Sequence, residues 1–281
     1  MQMWGELYPE DYKYKYPKAG EDNSKVELWV YNLERKHAYR CTTTSETWEY
    51  IPRFQWANAD NLAYMLMNRL QNHMRIMVIQ LSPNVVEKSL YDELCNTYVD
   101  VPDTWQFITV GKGKKAQEQM LITSERDGYR HIYLYNMEGK LINQVTSGEW
   151  EVCDVPGVDV KNQKIYYTSR EDGAINKSLF VIGFDGKKKQ SLNHNGLGTY
   201  NATFSNGCKY YICTWSDANH APVYTLHDAK GKLVKTLQDN TELQVQMANY
   251  GTGNKTFGTF TTSRGTELNY YLITPTVFKV D

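Results

Sequence analysis

A chain of 281 residues has room for one large domain or two ordinary ones, so a substantial buried core is available to it. Lysine and arginine number 31 against 32 aspartates and glutamates, a near-balance that gives the whole molecule no general attraction for phosphate backbones or anionic lipid, so no nucleic-acid partner is expected. No stretch approaches the ~18 apolar residues of a membrane helix, and the first residues do not read as a signal peptide.

The 22 tyrosines and seven tryptophans, beside only eight prolines, favour pleated, half-buried strands. In chain order, Val26–Leu33 and His37–Cys41 read as two strands of a partial unit within about 1–45. A first complete unit at 50–94 has strands at Phe54–Ala57, Leu62–Asn68, Met74–Gln80 and Val85–Leu90. A second, at 105–147, has Phe107–Gly111, Gln119–Ser124, His131–Asn136 and Leu141–Thr146. The third, at 155–193, has Gly157–Val160, Lys164–Ser169, Ser178–Phe184 and Lys189–Leu192. The fourth, at 200–238, has Tyr200–Phe204, Lys209–Trp215, Val223–Asp228 and Leu233–Leu237. At least one more strand follows within Thr259–Thr274, in a terminal segment 256–281.

The units repeat a phrase as well as a pattern. TSERDGYRHIYLYNMEGK at 123–140 returns as TSREDGAINKSLFVIGFDGK at 168–187 after 45 residues, and as TWSDANHAPVYTLHDAKGK at 214–232 after 46 more. Each copy is a polar turn, an apolar strand, a tight turn and a basic restart. Four strands per 40–50 residues, repeated without helices between them, is the signature of β-propeller blades. The expected fold is therefore all-β: four complete four-stranded blades over 1–255 with partial blades beside them.

Candidate chemistry is sparse. The five cysteines show no metal or redox spacing, and their odd number leaves at least one thiol unpaired. Cys208 and Cys213 fall in one predicted strand, on opposite faces, and read as packing residues. The redox compartment stays open. Six scattered histidines, His37, His73, His131, His194, His220 and His227, read as structural. Ser124, Asp127 and His131 are too close in sequence to build a triad, which is assembled from separated segments. The acidic turns at 125–127 and 170–172 lack the spacing of a calcium loop, and Gly128 and Gly173 suit hairpin turns needing positive φ. The basic runs Lys112–Lys115 and Lys187–Lys189 read as solvated turn tips. No motif calls for a metal or a cofactor.

Several stretches together resemble the dipeptidyl peptidase IV family of serine exopeptidases: YKYPKAGEDNSKVELWVYNLE at 14–34, SERDGYRHIYLY at 124–135, GEWEV at 148–152 leading into GVDVKNQKIYYTS, YNATFSN and VYTLHDAKGK within 200–232, and LNYYLITP at 268–275. The resemblance implies an eight-bladed propeller, of which this chain is the second half, followed by an α/β-hydrolase domain that carries the catalytic Ser, Asp and His. No Gly-X-Ser occurs in these 281 residues, so the nucleophile elbow is not among them and the chain itself is not expected to be an enzyme. Glu6 and Glu10 do not match the family's adjacent pair of substrate-holding glutamates. The segment 256–281 would lead toward the hydrolase domain.

The resemblance further implies that Trp105, in DTWQF at 103–107, lines an extended part of the substrate pocket, with Gln106 standing where the family has a basic residue. Packing within its blade is the other reading of Trp105. In the parent, the propeller would gate a peptidase that releases N-terminal dipeptides of the Xaa-Pro type, in a secreted or periplasmic setting, and its partners would be peptide substrate and the hydrolase domain. A four-blade piece would also be prone to self-association through its terminal blades. The alternative function is a free-standing propeller that binds protein or glycan.

Overall fold

The computed structural model describes residues 2–81, 85–251, 253 and 255–275, so the end of the terminal segment, 276–281, lies outside the described residues. Two compact units divide the chain, one ending at Val99 and the other starting at Asp100.

In the first unit, β1 (Gln2–Met3) pairs with β2 (Glu10–Asp11), and β3 (Glu27–Asn32) with β4 (His37–Thr43). A four-stranded antiparallel sheet follows, β5 (Phe54–Trp56), β6 (Asn61–Met67), β7 (His73–Gln80) and β8 (Val86–Leu94), in sequential order. Leu62, Tyr64, Leu66 and Ile79 of this sheet bury Leu28, with Val30 and Cys41 of the β3–β4 hairpin packed against the same cluster. The hairpin therefore covers one face of the sheet as an incomplete neighbour.

The second unit holds three such sheets: β9 (Trp105–Val110) to β12 (Leu141–Gln144), through β10 (Gln117–Ser124) and β11 (His131–Asn136); β13 (Val152–Asp159) to β16 (Gln190–Ser191), through β14 (Lys164–Ser169) and β15 (Ser178–Gly183); and β17 (Thr199–Phe204) to β20 (Leu233–Gln238), through β18 (Tyr210–Ser216) and β19 (Val223–Asp228). All are antiparallel meanders. The 45-residue repeat is thus one blade per copy, and the molecule is a propeller fragment. Helix α1 (Thr241–Asn249) then leads to a two-stranded hairpin, β21 (Lys255–Thr261) and β22 (Glu267–Ile273), so the expected late strand is a pair.

The core explains why the middle strands are apolar on both faces. Along β14, Ile165 and Tyr167 enter a cluster shared with the preceding sheet (Leu121, Ile132, Leu134), whereas Tyr166 enters a cluster shared with the following one (Tyr200, Tyr211, Cys213). Along β15, Phe180 and Ile182 face the first cluster and Leu179 and Val181 the second. Period-two alternation distributes one strand between two cores. Each such side chain stabilises the fold by roughly 1.5–3 kcal/mol on full burial.

Turn chemistry follows the repeat. Gly128 and Gly173 hold φ of 102° and 106° at equivalent hairpin positions, as expected. At the residue two before each glycine the charge is inverted but the task is the same. Arg126 donates to Ser124 Oγ at 3.1 Å and to Tyr135 Oη, and lies 4.1 Å over the Tyr133 ring. Glu171 instead accepts from Ser169 Oγ and Tyr167 Oη, both at 3.0 Å, and pairs with Lys189.

Two expectations change. Strand β13 begins at Val152, ahead of the expected Gly157, with register shifts between Val152 and Asp154 and between Asp154 and Gly157. Pro156, which has no N–H to give the ladder, hides this half of the strand from a pattern search. Cys208 lies in the 3-10 turn Asn206–Cys208 with φ 52° and not in a strand, and it shares one buried cluster with Cys213. Both remain packing residues, and all five cysteines are free thiols.

Gly157 marks a close approach of two sheets. A Cβ there would stand 2.8 Å from Phe204 Cγ and 3.3 Å from Cys208 Sγ. We predict that Gly157→Ala lowers stability by about 1–3 kcal/mol through overpacking, read as a lower urea midpoint at unchanged slope; an unshifted midpoint would refute the close contact.

Candidate functional site

The first strands of the three sheets in the second unit, β9, β13 and β17, supply the walls of a polar cavity of about 440 Å³. Thr104 just precedes β9 and Gln106 lies at its start, Asp154 to Pro156 come from β13, and Asn201 from β17. Alternation decides what each strand offers. Gln106 is exposed while its neighbour Trp105 turns inward.

Lys177, at the head of β15, ties the walls together. Its Nζ donates to Asn201 Oδ1 at 2.5 Å and lies 3.4 Å from Asp154 Oδ2, which also accepts from Thr168 Oγ1 at 3.3 Å. Its backbone is clamped as well: Lys177 N donates to the Gly198 carbonyl at 2.8 Å, and Tyr200 N donates to the Lys177 carbonyl at 2.7 Å. The result is a fixed ammonium between an amide and a carboxylate, in a wall of hydrogen-bonding side chains. Such a surface can hold a polar chain in register but offers no nucleophile. A neighbouring cavity of about 530 Å³, at the same end of the sheets, adds an apolar rim from Ile175, Leu197 and Phe257 over Asn176, Thr199 and Asp217.

Trp105 stands just behind the first wall. It is 7 % exposed, its indole N–H points to Met120 Sδ at 3.3 Å, and its ring meets Phe107 at 5.7 Å. Its backbone neighbours Thr104 and Gln106 reach the cavity. Lys177, Asp154 and Asn201 escaped sequence reasoning because they come from three separate segments of the chain. The available signal was positional: each stands at or near the head of a blade strand.

The other candidates resolve into structure. Ser124 accepts from Arg126, Asp127 from Gln144 Nε2 at 2.7 Å, and His131 bonds Thr146 Oγ1 at 3.1 Å and the Gly148 carbonyl at 2.9 Å, so the three do not form a triad. His131 is fully buried against the edge of Trp150. His73 pairs with Asp92 and His220 with Asp217. His194 stacks on His227 at 4.4 Å, and burial, reinforced by that second imidazole, pushes its pKa down and favours the neutral ring. Among the described residues no three His, Cys, Asp or Glu side chains gather as metal ligands, and no helix is long and apolar enough to cross a membrane.

Residues 1–222 match the family model of the dipeptidyl peptidase IV (DPP IV) N-terminal region. Among curated proteins, the dipeptidyl peptidase 4 of Arthroderma otae is 26% identical over 269 residues, covering 93% of this chain and 34% of that protein. The dipeptidyl peptidase 4 of Trichophyton rubrum is 26% identical over 250 residues, covering 86% and 32%. The chain spans about a third of the length of these relatives. The crystal structure of Porphyromonas gingivalis dipeptidyl peptidase 4 superposes with a TM-score of 0.84 at 34% identity, over 99% of this chain and 39% of that one. With a family match that covers most of its length and a superposition over 99% of the chain, this chain belongs to the family of dipeptidyl peptidase IV N-terminal regions.

Proposed function

We propose that the chain is the substrate-guiding propeller portion of a serine dipeptidyl peptidase, which in its complete form releases Xaa-Pro-type dipeptides from peptide N-termini. The family match over residues 1–222 carries this reading. The absence of any Gly-X-Ser supports a non-catalytic role for these residues. The propeller gates access and helps to hold the peptide, while bond cleavage belongs to a hydrolase domain beyond the segment 256–281. The hairpin β21–β22 supports that division, since every residue of β22 is exposed and a lone two-stranded hairpin is marginal in water.

The test is turnover. The purified 281-residue chain is expected to leave an Xaa-Pro chromogenic substrate intact at every pH, and a chain extended through the hydrolase domain to cleave it. Hydrolysis by the short chain that a serine-directed reagent blocks, or a silent long chain, would overturn the proposal.

The polar cavity is the extended part of the peptide path in this reading, with Trp105 as its backing and Gln106 as its face. In the full-length enzyme, Gln106→Ala is expected to raise KM for longer peptides by the equivalent of about 1 kcal/mol, with kcat and Tm unchanged. Trp105→Phe is expected to raise KM for the same peptides by a similar factor. Unchanged KM in both variants with a lowered Tm for Trp105→Phe would assign Trp105 to packing alone.

The isolated chain is also proposed to self-associate through its incomplete sheets, because Phe257, Phe260, Tyr271 and Ile273 lie half-exposed on β21 and β22. Light scattering should give a mass above that of one chain at high micromolar concentration, whereas a monomer throughout would reject this.

A further inference from the structure

The near-zero net charge conceals a separation that the meander topology creates within the second unit. In an antiparallel meander the turns after the first and third strands share one end, and the turns after the second and fourth share the other. The two turns at the first end are bonded together: Phe184 N donates to the Gln163 carbonyl in one sheet, and Ala229 N to the Lys209 carbonyl in the next, each at 3.0 Å. The sheets also keep a common direction, since Lys177 and Thr199, at the heads of β15 and β17, form a parallel bridge.

The first end collects the basic restarts of every repeat. Lys112, Lys114, Lys115, Lys140, Lys161, Lys187, Lys188, Lys209, Lys230 and Lys232 all stand on these turns and all are exposed. Among the described residues none of these ten ammonium groups has a carboxylate partner within 4 Å; Lys189, on the same turn as Lys187 and Lys188, is paired with Glu171, as Arg130, Arg170 and Lys177 at the opposite end are paired with carboxylates of their own. Four carboxylates stand at these turns: Glu138, exposed beside Lys140, and Asp159, Asp185 and Asp228. Asp228 accepts from the backbone N–H groups of Lys230 and Lys232, and Asp185 from that of Lys187, so both are turned back into their own turns. The opposite end, with the polar cavity, carries Asp100, Asp103, Glu125, Asp127, Glu149, Glu151, Asp172 and Asp217.

From this we infer that the lysine-bearing end of the second unit is a docking face for a surface of anionic lipid headgroups. Three features select that partner. The charges sit on turn tips of three adjacent sheets and so spread across a face, and the two cavities described above lie at the other end. All ten are lysines, while the three arginines of these sheets, Arg126, Arg130 and Arg170, stand at the opposite end, so the face offers point charges without the fork that grips a single phosphate. The tips themselves, GKGKK, MEGK, KNQ, DGKK, SNGCK and DAKGK, present no large exposed apolar side chain for insertion. Attraction would be diffuse, peripheral and screened by salt. The inference rests on the unit's own topology and holds whether or not the peptidase reading does.

The test uses the full 281-residue chain and vesicles of phosphatidylcholine with 40 mol % phosphatidylglycerol, against phosphatidylcholine alone, in a sedimentation assay. Binding to the anionic vesicles is expected to exceed binding to neutral ones at least ~10-fold in 50 mM NaCl and to fall at least ~10-fold in 300 mM. A lysine near such a surface contributes roughly fivefold in partitioning, so reversing three, Lys112, Lys114 and Lys115→Glu, should reduce binding at least ~20-fold. The charge-matched Lys13, Lys15 and Lys25→Glu variant, on the first unit, should bind within about threefold of the parent chain. A second variant, Lys187, Lys188 and Lys209→Gln, provides an independent loss should the first fold poorly by circular dichroism. Equal binding to both vesicle types, equal losses in the face and control variants, or capture by heparin without capture by vesicles would each overturn the assignment, the last in favour of a linear polyanion.

Discussion

Burial of one sheet on both of its faces is the constraint from which the rest of this structure follows. The sheet β13–β16 shows it most plainly, because Tyr166 and Tyr167, adjacent in sequence and both fully buried, belong to different cores. No single blade can satisfy such a strand, since its second apolar face would lie in water without a neighbour. The repeat is therefore obligatory: each copy exists to cover the copy before it. Where neighbours run out, the pattern relaxes, and every residue of β20 and β22 is exposed.

Packing at this density leaves the functional surface to whatever the cores do not use. Inner strands turn alternate residues away from the core, which is how Gln106 and Asn201 become available on strands whose other residues, Trp105 and Tyr200, are buried. Lys177 can bridge Asp154 and Asn201 only because consecutive blades are held at a fixed distance by Tyr166, Phe204 and Tyr211, with rings 4.3 and 4.8 Å apart. The polar cavity is thus a by-product of apolar packing. The blades are held by stacked aromatics, and among the described residues all five cysteines are free thiols.

The turns show how much freedom the repeat tolerates. Arg126 and Glu171 occupy the same place in successive copies with opposite charge, and each satisfies the serine and tyrosine hydroxyls of its own blade. What is fixed is a long polar side chain that folds back over the strand ends, together with the glycine that lets the chain reverse. Charge sign is free at that position but not at the other end of the sheets, where lysine recurs in each copy. Sequence balance over the whole chain hides this difference, because positive and negative residues are sorted by the direction of the strands.

The sequence by itself determined the blade. Period-two alternation, the 45-residue repeat and the glycine turns are local signals, and local hydrogen bonding obeys them. The strands His131–Asn136, Lys164–Ser169 and Val223–Asp228 lie where alternation puts them. Likewise the lack of a Gly-X-Ser elbow needs no coordinates. Tertiary structure alone decided which residues meet. The first half of β13 is invisible to alternation because Pro156 and two register shifts break its period, yet Val152 and Asp154 pair with Ser169 and Thr168 of β14 and hold it as a strand. Cys208 lies in the turn ahead of β18 because Gly207, at φ 71°, permits a reversal there, and its side chain joins the same buried cluster as Cys213. Trp105 lies behind the cavity and Lys177 beside it because burial is settled by neighbours 45 residues away, and no pattern within one blade carries that information.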